Sequence, residues 1–400
     1  MKTLKGLNVV VGVTGCIAAY KAAEVVSRLK KLGADVRVVM TKSACEFVAP
    51  LTFGTLSKNK VITDMFGLPD YKEVEHISAA AWADLFLICP ATANIIGKVA
   101  SGIADDFLST TVMATKAPVV FAAAMNSNMY ENPIVTANVK KLKDFGYHFI
   151  EPDVGMLACG TSGRGRLADY DKIIDTAVYY AYKNKDLKGK KVLVTAGPTV
   201  EAIDPVRYIT NHSSGKMGYE IAKAARIRGA EVTLISGPVS VKPFTGIDVL
   251  KVKSAVEMHD AVVQNAAEYD IIIKAAAVAD YRPKNIAENK IKKGGAMSVE
   301  LAENPDILKE LGKNKRNAVL AGFCMETENL LKNAEKKLKA KNLDFIVANN
   351  LTAEGAGFKT DTNIVTILDK DGNKSVYDIM GKDEVAHIIL DKCVKIMNKD

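Results

Sequence analysis

Short, continuous runs of apolar and β-branched residues alternate with amphipathic stretches along the first half of the chain. A strand that is apolar on both faces is typical of a parallel sheet covered by helices on both sides. The amphipathic stretches between the runs then provide the crossover helices. The pattern therefore predicts a doubly wound α/β fold. The runs are LNVVVGV (7–13), ADVRVVM (34–40), DLFLIC (84–89) and APVVFAAA (117–124).

The same pattern begins again near residue 191, which predicts a second α/β unit. With 400 residues, the chain is about twice as long as a typical domain of ~100–200 residues. The charged segment 182–191 has no apolar periodicity, so we expect the linker there, with domains at 1–185 and 186–400. Near the end, Asp371-Gly372 between two alternating runs predicts a hairpin. The strands of the second unit are KVLVTAG (191–197), AEVTLIS (230–236), YDIIIKAAA (269–277) and NAVLAGF (317–323).

Composition excludes several classes of protein. With 48% hydrophobic and 25% charged residues, the chain is neither disordered nor collagen-like. It contains no apolar run of ~20 residues and no signal-peptide pattern, so we expect a cytoplasmic protein without a membrane segment. The six cysteines form no CxxC pair, which argues against a zinc site and a disulfide framework. The net charge of +8 is spread over both halves, which favours small anionic ligands over nucleic acid.

Polar residues follow the predicted strands of the first half, at the sheet edge where ligands bind in α/β folds. Thr14 and Gly15 lie between a strand and a helix N-terminus, which suits either a phosphate or a plain turn. Thr92 and Asn94 follow the third strand, where Thr92 is a helix cap or a ligand contact. Asn126, in the segment AAAMNSNMYENP, needs a polar partner if it is buried.

Two further residues of the first half are candidates for proton transfer. His76 stands at the start of an amphipathic stretch, where a histidine is either a base or a surface residue. Cys159 lies in the glycine-rich stretch GMLACGTSGRGRLAD, which predicts either a mobile flap carrying a proton donor or an ordinary loop with a surface thiol.

The second half has a long strand-to-helix connection that ends in NHSSGKMG, residues 211–218. Lys216 at a helix N-terminus opposes the helix dipole, so a bound anion explains it better than simple serine capping. Asp280 follows a predicted buried strand, and a lysine-rich loop comes after it. An acid and a mobile basic loop suit nucleotide phosphates and Mg²⁺, although a lysine run is also typical of a solvated surface.

Taken together, these segments resemble one family along nearly the whole chain. The segments are AMNSNMY, ACGTSGRGR, NHSSGKMG, AVADYRP and the Lys290–Lys293 run, in the family's order. The family is that of the bifunctional coenzyme A biosynthesis flavoproteins, in which phosphopantothenoylcysteine decarboxylase is fused to phosphopantothenate–cysteine ligase. The resemblance implies a flavodoxin-like first domain, which binds FMN, and a Rossmann-like second domain.

For the first domain, the resemblance implies oxidative decarboxylation of the substrate's cysteinyl part, followed by reduction of the enethiol with the same electrons. His76 would be the base, Asn126 would bind the carboxylate that leaves as CO₂, and Cys159 would donate the last proton. The FMN contacts would be Thr14, Gly15, Thr41, Thr92 and Asn94. The chain departs from the family's Pro-x-Met-Asn-x-x-Met-Trp pattern by alanine in place of proline and by Tyr130 in place of tryptophan.

For the second domain, the resemblance implies that CTP activates 4′-phosphopantothenate as an acyl-cytidylate, which the amine of cysteine then attacks. Lys290 would stabilise the phosphoryl group under attack, and Asn211 would assist acyl transfer. Mg²⁺ is implied by the pyrophosphate chemistry, with no ligands assigned. The CTP contacts would be Ala276, Asp280, Lys290, Pro305, Asp306, Ile307, Leu308, Phe323, Lys337 and Lys341.

The resemblance further implies a homo-oligomer, with trimers formed through the first half and dimers through the second, up to a dodecamer. Two other hypotheses are weaker. A flavoprotein electron carrier fused to a nucleotide sensor explains the fold but gives Cys159 and Lys290 no task. A nucleic-acid-binding protein rests only on the basic excess, which is evenly spread.

Overall fold

The structure is a computed structural model that describes residues 3–66, 74–295, 297–315, 317–326, 329–350 and 360–398. It divides into two compact units, Lys2–Lys183 and Asn184–Asp400. The boundary predicted from the sequence, between residues 185 and 186, lies two residues further along the chain. Within the described ranges, every helix is too short or too polar to cross a membrane.

The first unit is built on a five-stranded parallel sheet with the order β2-β1-β3-β4-β5. This is the flavodoxin-like order, in which the chain reverses direction between β1 and β3 and leaves a crevice at their carboxyl ends. The predicted fold class is confirmed. The strands are β1 (Asn8–Val13), β2 (Asp35–Met40), β3 (Leu85–Ala91), β4 (Val119–Ala123) and β5 (His148–Ile150), followed by a separate antiparallel hairpin of β6 (Asp153–Met156) and β7 (Ser162–Arg166).

Helices cover both faces of this sheet because its strands are apolar on both sides. All seven residues of β3 are buried, as the continuous apolar run predicts. A short 3₁₀ helix, Ile17–Lys21, leads into the first α-helix. The helices are α1 (Ala22–Lys31), α2 (Lys42–Cys45), α3 (Pro50–Ser57), α4 (Glu75–Trp82), α5 (Ala93–Ala100), α6 (Phe107–Ala114), α7 (Ser127–Tyr130), α8 (Pro133–Asp144) and α9 (Tyr170–Ala181).

The second unit is built on an eight-stranded sheet with the order β12-β11-β8-β13-β16-β17-β18-β19. The first six strands in this order are parallel, and β18 and β19 continue the sheet as an antiparallel hairpin around Asp371-Gly372, which confirms the predicted turn. The strands are β8 (Lys191–Ala196), β9 (Val200–Ala202), β10 (Tyr208–Thr210), β11 (Glu231–Ser236), β12 (Asp248–Lys251), β13 (Ile271–Lys274), β14 (Tyr281–Pro283), β15 (Leu301–Glu303), β16 (Val319–Glu326), β17 (Phe345–Asn350), β18 (Thr362–Asp369) and β19 (Lys374–Gly381).

Helices again lie on both faces, with a separate apolar core on each side of the sheet. One core packs β8, β13 and β17 against the helices that begin at Lys216 and Lys382, and the other packs against the remaining three helices. This is the predicted Rossmann-like arrangement. The helices are α10 (Lys216–Ile227), α11 (Ala255–Asn265), α12 (Ile307–Lys313), α13 (Leu330–Ala340) and α14 (Lys382–Met397), with a 3₁₀ turn at Ala266–Glu268.

A buried arginine joins the start and the end of the second unit. The side chain of Arg228, just after α10, is only 2% exposed and donates to both carboxylate oxygens of Asp186, at 2.8 and 2.5 Å. Its other terminal nitrogen donates to Asp391 of α14 at 2.7 Å. A buried guanidinium is tolerated only when it is paired in this way, so removing either carboxylate is expected to destabilise this unit.

Candidate active sites

The first unit has a cavity of about 1090 Å³ at the carboxyl ends of its parallel strands. The loops that follow β1, β2, β3 and β4 form its walls, as expected at the point where the strand order reverses. Asn126 and Cys159 also line it. The predicted flavin contacts that line this cavity are Thr14, Gly15, Thr41, Thr92 and Asn94.

Two of these predicted flavin contacts already form hydrogen bonds within the protein. The buried Thr14 hydroxyl donates to the Pro90 carbonyl at 2.7 Å and accepts from the Thr92 amide at 3.2 Å, which joins the loops after β1 and β3. The Thr41 hydroxyl accepts from the Ala44 amide at 3.2 Å and caps α2. The side chains of Thr14 and Thr41 therefore hold the loops in place. Contacts with a ligand at these two positions would then come from the backbone and from neighbouring side chains.

The cavity wall fits flavin mononucleotide. A Cβ atom on Gly15 would lie 2.4 Å from Ser43 Cβ and 2.8 Å from its carbonyl oxygen, so only glycine lets the two loops meet. Lys21, Lys42 and Ser43 also line the cavity, and their side chains carry donors that suit a phosphate. Apolar side chains that suit a flavin ring also line the cavity: Ile17, Met40, Leu108, Met125, Met129 and Leu167.

Glycines on the hairpin strand β7 bring Cys159 to Asn126. A Cβ atom on Gly165 would lie 2.1 Å from the Met125 carbonyl oxygen, and one on Gly163 would lie 2.2 Å from Ser127 Oγ. The Met125 amide donates to the Gly165 carbonyl at 3.0 Å across this close approach. As a result, Asn126 Nδ2 lies 3.4 Å from the sulfur of Cys159, and two predicted catalytic residues meet.

The thiol of Cys159 is polarised by its own turn. Hydrogen bonds from the Thr161 hydroxyl, at 3.1 Å from the sulfur, and from the Thr161 amide hold the pKa of the Cys159 thiol below its ordinary value, with a further bond from Asn126. Thr161 was not among the residues predicted from the sequence. Its place two residues after the cysteine, within the same glycine-rich stretch, was the available signal.

Two other residues of the sequence analysis lie beside this cavity. His76, in the first turn of α4, is half-buried and meets the ring of Phe107 edge-on at 6.4 Å between centroids, but it does not line the cavity. Tyr130, in place of the family's tryptophan, donates a hydrogen bond to Glu151 and lies under the guanidinium of Arg164 at 5.3 Å. Burial and the Glu151 carboxylate raise the pKa of Tyr130, so this side chain stays a neutral anchor.

The second unit has a cavity of about 430 Å³, also at the carboxyl edge of its sheet. Its lining includes NHSSGKMG, residues 211–218, at the N-terminus of α10. The side chain of Asn211 donates to the Ala277 carbonyl at 2.9 Å, which holds the connection against the loop after β13. The predicted nucleotide contacts that line this cavity are Ala276, Asp280, Leu308, Phe323, Lys337 and Lys341.

Asp306, another predicted nucleotide contact, lies next to Lys341, which lines this cavity. Its carboxylate caps α12 through the Lys309 amide at 3.1 Å and pairs with Lys341 Nζ at 3.1 Å. Burial acts against ionisation, but these contacts outweigh it and lower the pKa of Asp306. Asp306 therefore positions Lys341 at the cavity.

Four predicted nucleotide contacts lie outside the cavity lining: Asp306, described above, and Ile307, Pro305 and Lys290. Ile307 is 2% exposed and packs into the apolar core, because the first turn of α12 faces inward. Pro305 precedes that turn, and Lys290 stands on an exposed loop. This loop is held at the next residue, where Asp204 accepts from the Ile291 amide at 3.2 Å.

One lysine in this cavity was not predicted from the sequence. Lys274, the last residue of β13, reaches the lining. Burial, and then the positive charge of Lys341, lower the pKa of Lys274 to about 8. Among the residues that the structure describes, no group of three His, Cys, Asp or Glu side chains is arranged to hold a metal ion.

Comparison with known proteins gives the family. The profile described as "DNA/pantothenate metabolism flavoprotein C-terminal domain" matches residues 187–397, and the profile described as "Flavoprotein" matches residues 1–181. The Coenzyme A biosynthesis bifunctional protein CoaBC of Bacillus subtilis (strain 168) is 51% identical over 391 residues, which are 97% of this chain and 96% of that protein. The chain belongs to the family of bifunctional coenzyme A biosynthesis proteins.

The bifunctional coenzyme A biosynthesis family combines a decarboxylase and a ligase. The chain is thus a bifunctional enzyme and a flavoprotein, with phosphopantothenoylcysteine decarboxylase and phosphopantothenate–cysteine ligase activities, as the sequence predicts. A crystal structure of the C-terminal domain of a CoaBC protein is 44% identical to this chain, covers 55% of it and all of that domain, and has a TM-score of 0.48. A cysteine/cysteine sulfinic acid decarboxylase from an unknown prokaryotic organism is 45% identical over 88% of this chain and all of that protein.

Proposed function

We propose that residues 1–185 form the FMN-dependent decarboxylase and that residues 186–400 form a CTP-dependent ligase. The observation that carries the first assignment is the contact of Asn126 with Cys159, at 3.4 Å on the wall of the larger cavity. The second rests on Asp280, Lys337 and Lys341, which gather around the smaller cavity together with Asn211.

In the decarboxylase, bound FMN supplies the oxidation of the substrate's cysteinyl part and the later return of the electrons. Asn126 donates a hydrogen bond from Nδ2, which suits binding of the substrate carboxylate before it leaves as CO₂. Cys159 then donates the proton that completes the reduced product, and its polarised thiol suits this role. His76 is proposed as the base.

In the ligase, a carboxylate oxygen of 4′-phosphopantothenate attacks the α-phosphorus of CTP, and pyrophosphate leaves. The amine of cysteine then attacks the acyl carbon, the bond to the cytidylate oxygen breaks, and CMP leaves with loss of one amine proton. Lys290 is proposed to stabilise the first transition state and Asn211 to orient the acyl carbonyl for the second. Lys337, Lys341 and Asp280 are proposed to bind CTP.

Mg²⁺ is proposed to enter with the nucleotide. The described residues form no ready carboxylate cage, and Mg²⁺ is commonly held by substrate phosphates with one or two carboxylates. Asp280 is the cavity carboxylate that suits such a contact, because Asp306 is already paired with Lys341.

All six cysteines are free thiols, which supports a reducing, cytoplasmic setting. A homo-oligomer, trimeric through the first unit and dimeric through the second, remains a prediction.

The assignment is tested by incubating the purified protein with 4′-phosphopantothenate, cysteine and each nucleoside triphosphate in turn. We expect pyrophosphate and CO₂ in equal amounts, with CTP the preferred nucleotide. CO₂ without pyrophosphate would contradict the ligase assignment, and equal rates with ATP would contradict the preference for CTP.

Free cysteine is a second candidate substrate of the decarboxylase. It is suggested by the 45% identity to a cysteine/cysteine sulfinic acid decarboxylase. The same assay separates the two candidates, because CO₂ released from cysteine alone needs neither CTP nor 4′-phosphopantothenate.

A cut between Lys183 and Asn184 tests the domain assignment. The cut leaves Asp186 with Arg228, so the second unit keeps its buried ion pair. We expect a yellow first fragment that decarboxylates and a colourless second fragment that ligates, since each has its own core. A folded first fragment without flavin would contradict the assignment.

A further inference from the structure

Glu151 lies at the base of the β6–β7 hairpin, where donors from several parts of the first unit converge on it. Its carboxylate accepts hydrogen bonds from the Tyr130 hydroxyl, from Lys143 Nζ at 2.7 Å and from the Arg164 guanidinium at 3.2 Å. Its backbone carbonyl accepts from Lys172 Nζ at 3.1 Å. One residue thus joins α7, α8, α9 and β7. We call the carboxylate and its side-chain donors the carboxylate hub: Glu151, Tyr130, Lys143 and Arg164.

The charges of the hub fit one ionised acceptor and three donors. Burial acts against ionisation of Glu151, but the hydrogen bonds of Lys143 and Tyr130 and the neighbouring positive charges outweigh it and lower the pKa of Glu151. Burial and the Glu151 carboxylate raise the pKa of Tyr130, so the phenol keeps its proton and donates. Hydrogen bonds to an ionised acceptor are stronger than neutral ones, and a carboxylate shared by two cations forms a network rather than an isolated surface pair.

The hub lies at one end of α7, and the contact of Asn126 with Cys159 lies at the other. Between them the hairpin approaches α7 through glycine, which offers no side chain to hold it. Ser127, which faces Gly163, has a buried hydroxyl without a hydrogen-bond partner among the described residues. Side-chain hydrogen bonds therefore attach the hairpin at both ends of this helix, at Asn126 and at Tyr130.

Tyr130 is one of the two positions at which the chain departs from the family's pattern, which has tryptophan there. An indole carries its single N–H donor at another place on a larger ring, so the contact with Glu151 depends on the phenol of this chain. The guanidinium of Arg164 lies 5.3 Å from the centre of the same ring, within the range of cation–π attraction. Tyr130 therefore meets two members of the hub, one through its hydroxyl and one through its ring.

The hub and the reacting pair act on the same hairpin. We propose that Glu151 is a positioning residue of the decarboxylase: through the carboxylate hub it holds the hairpin against α7 and thereby keeps Cys159 beside Asn126. Glu151 does not line the cavity, so it acts through other side chains. This inference rests on the proposed functions of Asn126 and Cys159.

Separation of the hairpin from α7 would have two consequences for the Cys159 thiol. Hydrogen bonds from Thr161, and then one from Asn126, lower the pKa of this thiol. The Thr161 contacts would move with the thiol, because both residues lie in one turn, whereas the Asn126 contact would be lost. The pKa of Cys159 would then rise, and its proton would be delivered from a less favourable position.

The first measurement is the pH dependence of Cys159 alkylation by iodoacetamide, followed on its own peptide by mass spectrometry in the full-length protein with FMN bound. Only the thiolate reacts, so the midpoint of the rate profile reports the pKa of the thiol. Glu151→Ala should move this midpoint to higher pH. Asn126→Ser keeps a helix-capping oxygen but removes the amide donor, so it should give the same shift. The double variant should show no further shift, because both changes remove one contact.

The second measurement is the share of oxidised enethiol in the product. Glu151→Ala should retain FMN and release CO₂, but the final reduction should slow by about tenfold to a hundredfold because the proton donor is displaced. Tyr130→Phe removes only the hydroxyl and should slow this step by about threefold to tenfold. Glu151→Gln keeps an acceptor for the phenol and should recover part of the loss. The matched control is Glu24→Ala, whose carboxylate pairs with Arg28 at 2.8 Å outside the cavity and should change neither measurement.

Three outcomes would overturn the proposal. A lower melting temperature of Glu151→Ala with an unchanged midpoint and product share would make Glu151 a residue of stability alone. Additive shifts in the double variant would show that Glu151 acts on the thiol independently of Asn126. Failure of the proposed function has a different signature: normal formation of 4′-phosphopantetheine by Cys159→Ser would remove the thiol from the reaction, and the positioning role with it, even where the alkylation midpoint shifts.

Discussion

The two cavities differ in how completely their chemical groups are assembled. In the first unit, Asn126 and Cys159 already touch, because glycines on β7 let the hairpin lie against the chain after β4. In the second unit, Asn211 lines the cavity but Lys290 stands on an exposed loop outside it. Backbone packing thus fixes the contact between Asn126 and Cys159, whereas the proposed role of Lys290 requires its loop to bring it to the ligand.

The largest effect on the contrast between the two cavities is expected from a substitution of Cys159. Cys159→Ser should keep FMN and release CO₂, but the final reduction should slow by about 10²–10⁴-fold because a hydroxyl is a far weaker acid than a thiol. Mass spectrometry of the product should show the oxidised enethiol. The control is Cys45→Ser, since Cys45 lies outside the cavity. Unchanged formation of 4′-phosphopantetheine by Cys159→Ser would remove Cys159 from the mechanism.

A substitution of Lys290 tests the second unit, where the proposed catalytic lysine lies outside the cavity lining. Lys290→Gln should slow pyrophosphate release by about 10²–10³-fold with little loss of CTP affinity, because its contact forms chiefly in the transition state. Asn211→Asp should instead release about one equivalent of pyrophosphate and then stall with the acyl-nucleotide bound. The exposed neighbour Lys292 provides the matched control, Lys292→Gln. If Lys290→Gln ligates at a near-normal rate, Lys290 is a surface charge.

A methyl group on the hairpin should weaken the assembled geometry. Gly165→Ala places a Cβ atom 2.1 Å from the Met125 carbonyl oxygen, so β7 must move, at a cost of about 1–3 kcal/mol. We expect retained flavin and a final reduction slowed by about tenfold, seen as a larger share of oxidised product. Gly155→Ala, which meets only the flexible end of Arg166 at 3.3 Å, should have little effect. Equal behaviour of the two variants would show that close packing does not set this geometry.

The smallest effect concerns pH. The Cys159 thiol must be protonated to donate, so the final reduction should slow as pH rises through its pKa, which the Thr161 hydroxyl and amide lower. Thr161→Val removes the hydroxyl contact and raises that pKa, so the alkaline limb of the rate profile should move to higher pH. At low pH the two rates should agree. Thr55→Val, at an exposed hydroxyl bound to the Leu51 carbonyl, is the control. A shift to lower pH would contradict the assignment.

The fold was predictable because its strands are apolar on both faces. All seven residues of β3 are buried, and a series of such runs alternating with amphipathic stretches is typical of a parallel sheet covered on both faces. The strand order was accessible only through the resemblance to a family, since periodicity does not reveal which strands are neighbours. The hairpin at Asp371-Gly372 was predictable from its turn residues and the alternating runs on either side of them.

The candidate sites were predictable where a polar residue stands in the loop after a strand. Thr14 follows β1 directly, and Asn126 and Asp280 lie in the loops after β4 and β13. Asn349, which also lines the cavity of the second unit, was not predictable, because an asparagine at the end of an apolar strand gives no local sign that its amide oxygen will be buried without a hydrogen-bond partner among the described residues. Lys274 was missed for a related reason: its pKa is lowered by burial and then by the charge of Lys341, and both depend on segments that lie far away in the sequence. Such signals arise only when distant segments meet.

The pairing of Arg228 with Asp186 and Asp391 has a consequence for where the second unit is held closed. Its first and last segments meet at one guanidinium. Helix α10 has twelve residues and runs from the cavity at Lys216 toward this point, a distance of about 18 Å at ~1.5 Å per residue. The segments around Asp186 and Asp391 therefore meet at the end of α10 that is farther from the cavity. The ion pairs that close this unit and the residues that line its cavity thus lie at opposite ends of one helix.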